Sequence, residues 1–365
     1  MARLGLGDAW DCLFANDFDE KKVASYRKNF HPAIELHHGD VGAVGTELLP
    51  DHATLAWASF PCQDLSLAGN GKGLEGNRSG VFWSFWGLVK KLRQEGRQPP
   101  VIALENVTGL ITANGGDDLR SLVSALVEEG YRVGAIALDG ALFVAQSRPR
   151  VFVIAVAKSV ALPKGITSKV ANPLLHPPSL QDVVENSSAE IHKNWVWWKL
   201  PIPQEDAPHL REIIENEPTG VEWHSAAETQ RLLSMMTPGN LAKVEEAKMA
   251  GDLQVGTIYR RTRNRVQRAE VRFDGVSGCL RTPSGGSSRQ IVMVVEGTIV
   301  RTRLISPRET ARLMGLPEKY DLPERYNDAY HLTGDGVVVP AVGWIERHII
   351  RPVAAAAQNV VQTIR

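Results

Sequence analysis

Ser59-Phe60-Pro61-Cys62-Gln63-Asp64-Leu65-Ser66 follows directly on an apolar run at 53–58 and places one of only three cysteines in a Pro-Cys-Gln turn. A strand that ends in such a turn presents its thiol at the carboxyl edge of a sheet, where open α/β folds put their ligands. A lone cysteine is more often a small buried hydrophobe than a reactive group, so the turn gains meaning from what accompanies it. Residues 101–107 repeat the design, an apolar strand ending in Glu105 and Asn106. Gln146-Ser147-Arg148-Pro149-Arg150 then leads straight into a third apolar strand at 151–156. Three polar clusters at strand ends can converge on one site.

Working outward, residues up to about 162 alternate short apolar runs, at 12–15, 55–58, 101–104, 133–138 and 151–156, with helical spacing of Leu, Val, Phe and Trp at 79–93 and 117–129. This alternation predicts an α/β fold with a mostly parallel, helix-covered sheet of the Rossmann-like kind. From 186 to about 293 the periodicity is poor, Trp195, Trp197 and Trp198 cluster, and Gly and Arg become frequent, which predicts a second, smaller irregular domain over 186–325. The catalytic domain is expected at 1–185 and a segment packing back on it at 326–365. Ser306-Pro307-Arg308-Glu309 reads as an N-cap followed by Pro at the first helical position and Glu at the third.

The chain, 365 residues long, has 41 basic and 41 acidic residues and no net charge, so a uniform polyanion binder is excluded. The distribution is uneven: Arg260, Arg261, Arg263, Arg265, Arg268 and Arg272 face the single acid Glu270 within 259–272, a composition suited to phosphate contact. Cys12, Cys62 and Cys279 have no metal-ligand spacing and are odd in number, so neither a zinc site nor a disulfide framework is supported. A reducing, cytoplasmic setting and no metal are expected. No apolar run approaches the ~20 residues of a membrane span, and no signal sequence is visible.

These blocks, together with residues 303–309 and Gly334-Asp335-Gly336, resemble in order and rough spacing the signature motifs of the DNA (cytosine-5)-methyltransferases. The resemblance implies S-adenosylmethionine as cofactor and duplex DNA as substrate, in a monomeric, nucleoid-associated bacterial or phage enzyme, with a cognate restriction endonuclease as a functional partner. It casts Cys62 as the nucleophile that adds to C6 of a flipped-out cytosine, Glu105 as the acid against its N3 and N4 edge, and Arg148 and Arg150 as the pair around them. For the cofactor it implies Asp17, Phe18, Asp40, Pro61, Val81 and Asp335, the last standing where Asn is commoner. Base reading is expected from Arg281, Arg289 and Gln290, phosphate contact from the arginine run, and closure over the base from the Gly-rich stretch at 67–78.

One departure stands out. The family begins with a strand and a Phe-x-Gly-x-Gly turn, and Met1-Ala2-Arg3-Leu4-Gly5-Leu6-Gly7 aligns with the helix after that turn, so the first strand of the sheet has no counterpart here. A catalytically inactive DNA-binding homologue and a tRNA methyltransferase are the competing expectations.

Overall fold

The computed structural model describes residues 1–60, 80–203, 207–263, 265–281 and 289–364. The chain opens with α1 (Ala2–Leu6), β1 (Ala15–Asp17), α2 (Glu20–Asn29) and β2 (Leu36–His38). It continues with β3 (Leu55–Ser59), α3 (Val81–Gln94), β4 (Val101–Val107), α4 (Gly109–Thr112), α5 (Asp117–Glu128), β5 (Tyr131–Asp139) and β6 (Pro149–Ala157). Then come β7 (Thr167–Ser168), α6 (Pro178–Glu185), α7 (Ala189–Asn194) and β8 (Trp197–Trp198). The second half carries α8 (Leu210–Ile213), α9 (Ala226–Ser234), α10 (Pro238–Met249), β9 (Gln254–Arg263), β10 (Val266–Arg272), β11 (Ile291–Glu296) and β12 (Ile299–Leu304). It closes with α11 (Pro307–Arg312), α12 (Tyr326–Gly334), α13 (Val339–Ile345), a π-helical stretch Glu346–Ile350 and α14 (Arg351–Ile364).

The architecture is mixed α/β. Its main sheet has the order β3-β4-β6-β5, and β4 lies within it as a continuous apolar run, Val101-Ile102-Ala103-Leu104, fully buried as a strand covered on both faces must be. Helices α3 and α5 supply Phe82, Trp86, Leu122 and Leu126 to its core, and α13 and the segment after it add Val342, Ile345 and Ile349. The sheet is less parallel than the sequence predicts. β3, β4 and β5 run in one direction, but β6 lies between β4 and β5 and is antiparallel to both, so only β3 and β4 pair in parallel. The cause is the connection between β5 and β6, residues 140–148, which is shorter than the dozen or so residues a parallel crossover needs.

β1 and β2 form a separate parallel pair in the register Ala15↔Leu36 to Asp17↔His38. Among the described residues β1 pairs with β2 alone and β3 with β4 alone, so each keeps one open edge. β3 shows the consequence: Leu55, Ala56, Trp57 and Ala58 are as apolar as β4 yet only half-buried. The strand expected at 12–15 starts three residues later, where the Ala15 amide donates to the Glu35 carbonyl at 2.9 Å.

The second half builds an antiparallel sheet, β10-β9-β11-β12, over a core of Leu232, Met236, Val244, Ile258, Val271 and Met293. Between the two sheets lies a third cluster in which Val144 and Ala145 meet Leu280, Leu313, Met314, Val338 and Ala341. The tryptophan-rich stretch expected to open the second domain packs on the first sheet instead, with Ile191, Val196, Trp198 and Leu200 in that sheet's core. Ser306 caps α11 as its sequence implies: its hydroxyl accepts from the Glu309 amide at 3.1 Å and the Glu309 carboxylate accepts from the Ser306 amide at 2.7 Å. Helix α1 lies so close to α13 that a Cβ on Gly5 would sit 2.4 Å from the Val342 Cβ.

Candidate active site

The carboxyl ends of β3 and β4 and the start of β6 meet in register, Ser59 beside Glu105 and Glu105 beside Phe152. Glu105 is 7 % exposed, and the Arg150 Nε lies 3.0 Å from its Oε1. A carboxylate this deep is retained only with a charged partner, and Arg150 is that partner. Its Nη1 also donates to its neighbour Pro149's carbonyl at 2.9 Å. The β5–β6 turn that carries this arginine is fixed by Asp139, which accepts from the Arg148 amide at 2.6 Å, the Ala141 amide at 3.0 Å and the Ser147 hydroxyl at 3.0 Å.

Asn106, next to Glu105, is buried and donates its Nδ2 to the Phe60 carbonyl at 2.8 Å. The end of β4 thereby holds the backbone at Phe60, directly ahead of Pro61 and Cys62 in the sequence. The sequence marks this amide as the close of an apolar strand but gives it no role, because its partner lies 46 residues away. Pro61 and Cys62 themselves, and the Gly-rich stretch at 67–78, lie outside the described residues.

Arg148 does not stand beside Glu105. It is 2 % exposed, its Nη1 donates to the Leu280 carbonyl at 2.9 Å and to the Cys279 Sγ at 3.4 Å, and its Nη2 donates to the Gly334 and Gly336 carbonyls at 2.7 Å each. Burial, helped by the positive charge of Arg150, pushes its guanidinium down to about 10. With four N–H groups committed to backbone and thiol, this arginine is a tie between segments rather than a contact for a base. The two arginines of the Arg-Pro-Arg pair, read from sequence as equivalents, have divided their work.

On the other side, Asp17 and Phe18 end β1. Asp17 accepts from the Asp19 amide at 2.9 Å and Asp40 from the Gly42 amide at 2.8 Å. No hydrogen bond from a described residue reaches the second oxygen of either acid. The Phe18 ring is 74 % exposed, and Val81, the first residue of α3, is also exposed. Two acids with an oxygen to spare and an open ring at strand ends fit an adenosine, whose diol donates hydrogen bonds and whose base stacks. Asp335 pairs with Lys22 in the first turn of α2 at 2.8 Å, a contact between residues 22 and 335 that no local sequence signal announces.

The arginine run lies on β9 and β10, with Arg265 between them; Arg261 is paired in register with Arg268 and Arg260 with Ala269. Arg265 and Arg268 are exposed, whereas Arg261 forms an ion pair with Glu270, and Arg272 is held by Asp274 through bonds of 2.7 and 2.6 Å. The side chain of Arg263 lies outside the described residues. Arg261 and Arg281 flank the Tyr259 ring, each 5.9 Å from its centroid. Arg289 donates to Asn327 at 2.6 Å beside the Tyr326 ring. Gln290 departs from its expected part: it is 2 % exposed and its Nε2 donates inward to the Cys279 carbonyl at 3.4 Å, so no base edge meets it in this arrangement.

With this geometry in place, comparison with known proteins becomes informative. Residues 2–351 match the family described as C-5 cytosine-specific DNA methylase. The type II methyltransferase M.HhaI of Haemophilus parahaemolyticus is 24 % identical over 340 residues, covering 93 % of this chain and 87 % of that protein. M.HpaII of Haemophilus parainfluenzae is 25 % identical over 338 residues, covering 91 % and 80 %. Among solved structures, the S. pombe Dnmt2 methyltransferase superposes with a TM-score of 0.53 at 17 % identity, covering 97 % of this chain and 93 % of that one. A putative DNA modification methyltransferase from an E. coli prophage gives 0.55 at 14 % identity, covering 99 % and 95 %. These superpositions speak to the fold. The match over nearly the whole length settles the family: this chain belongs to the C-5 cytosine-specific DNA methylases.

Proposed function

We propose that the protein transfers a methyl group to C5 of a cytosine flipped out of a specific duplex DNA sequence, through a covalent bond between the Cys62 sulfur and C6 of the base. The observation that carries this reading is the joint placement of Glu105, Arg150 and Asn106: a buried acid with its cationic partner, beside an amide that holds the Phe60 carbonyl two residues ahead of Cys62. C5 of cytosine is a poor nucleophile while the ring stays aromatic. A thiolate from Cys62 adding at C6 pushes electron density toward C5 and N3, which Glu105 stabilises along the base edge. S-adenosylmethionine supplies the methyl group when bound, held by Asp17, Phe18, Asp40, Pro61, Val81 and Asp335. Loss of the C5 proton then expels the Cys62 thiolate and restores the ring. The base must leave the duplex for any of this to happen.

Bisulfite sequencing of DNA from cells expressing the chain is the direct test. Protected cytosines in one recurring sequence context are expected, and uniform conversion overturns the reading. In the same assay Glu105→Gln is expected to lower methylation by on the order of 100-fold, the usual size of a positioned acid–base contribution, with DNA affinity close to wild type. An equal loss of affinity would assign Glu105 to binding alone.

For the DNA face, Arg265→Ala with Arg268→Ala is expected to weaken binding to all duplexes alike and to flatten the salt dependence by about one unit of slope per lost phosphate contact. Arg281→Ala is expected instead to relax the choice of methylated sequence. A salt slope unchanged in the double variant, with an altered methylation context, reverses the two roles.

A further inference from the structure

Arg148 does something the chemistry above does not require. Its two terminal nitrogens divide their four hydrogen bonds evenly between two segments, Cys279-Leu280 on one side and the Gly334–Gly336 turn on the other. The first segment leads directly into Arg281 and is clamped again by Gln146, whose Oε1 accepts from the Leu280 amide at 2.9 Å while its Nε2 donates to the Leu313 carbonyl at 2.7 Å. The second segment carries Asp335, which meets the Lys22 ammonium at 2.8 Å. Lys22 is drawn further toward its charged form by Asp17 and Asp19. A set of contacts therefore runs from the β1–α2 edge to Asp335, through the Gly334–Gly336 backbone that carries Asp335 to Arg148, and on to the entrance of the arginine-bearing segment.

The guanidinium is planar and its fork is rigid, so it cannot swing to keep one pair of acceptors while the other moves away. It is also buried, so a bond broken on either side leaves a desolvated donor and a desolvated carbonyl, each costly. The Gly334–Gly336 turn and the Cys279-Leu280 segment consequently hold their relative placement together or lose it together. A ligand that favours the placement of one favours that of the other.

We propose that Arg148 is a positioning residue that couples the two binding sites: S-adenosylmethionine or its demethylated product, bound beside Asp335, tightens DNA binding through it. This rests on the cofactor reading above. Coupling of this kind is reciprocal, so DNA must tighten the cofactor by the same factor.

The test uses the full chain, S-adenosylhomocysteine as a non-reactive probe at saturating concentration, and a duplex bearing the site found by bisulfite sequencing. In wild type the probe is expected to tighten DNA binding by on the order of tenfold, within the usual span for coupled sites. In Arg148→Lys, which keeps the charge but cannot span both segments, that ratio is expected to fall to near one. A residue that merely supported the fold would weaken binding with and without the probe and leave the ratio alone. Because a buried arginine tolerates substitution poorly, Lys22→Met cuts the same route from its more exposed end; it should lower the ratio while leaving probe-free DNA affinity unchanged. A wild-type ratio of one, or an unchanged ratio in both variants, overturns the coupling alone. Failure of wild type to bind S-adenosylhomocysteine at all, measured by calorimetry, overturns the cofactor reading and the coupling with it.

Discussion

Cys62→Ala is expected to reduce methyl transfer by more than about 10⁴-fold, since losing a covalent nucleophile removes the path rather than slowing it. DNA affinity should stay within about twofold of wild type, because phosphate contacts rather than the thiol carry it. Wild-type protein incubated with S-adenosylmethionine and DNA containing 5-fluorocytosine should form a stable adduct. After methyl transfer C5 bears fluorine in place of the proton that must leave, so the sulfur–C6 bond cannot break. A denaturing gel reads the adduct directly, and its absence from the alanine variant completes the argument. Appreciable methylation by that variant would sink the assignment of Cys62.

The second large effect concerns the open edges of β1 and β3. An isolated two-stranded parallel pair is an unusual element, because parallel sheets ordinarily owe their stability to burial on both faces. The half-buried Leu55 and Trp57 on β3 mark a place where apolar surface lacks cover. A further strand paired with both open edges would cover that surface. A variant with one added strand of ~5 to 6 residues and its loop placed ahead of α1 is expected to bind S-adenosylmethionine at least tenfold more tightly. It should also melt at a higher temperature. Calorimetry on both forms decides the matter, and equal affinity and equal melting temperature would leave the slot without its strand.

The sequence made some of this legible and hid the rest for physical reasons. The strands ending at Ser59 and Val107 and the one beginning at Pro149 could be read because each is a short apolar run closed by a polar cluster. Glu105 and Arg150 were singled out by the resemblance to the cytosine-5 methyltransferases, and no local pattern announces their ion pair. The hidden parts depend on partners far along the chain. The antiparallel direction of β6 follows from the brevity of 140–148, a count that was open to view but masked by the βα rhythm before it. The inward turn of Gln290 and the burial of Arg148 follow from carbonyls at Cys279, Leu280, Gly334 and Gly336. Composition treats a buried tie and an exposed contact as the same residue type.

The close approach of α1 to α13, where Gly5 leaves no room for a side chain against Val342, carries a consequence for biosynthesis. Helix α1 leaves the ribosome more than 300 residues ahead of α13, its docking surface. At ordinary elongation rates of ~5 to 20 residues per second it waits on the order of half a minute for its partner. Over that interval Leu4 and Leu6 have no native neighbour on α13 to cover them. Nascent-chain handling by chaperones, rather than the stability of the finished protein, is therefore where substitutions in α1 should be felt first.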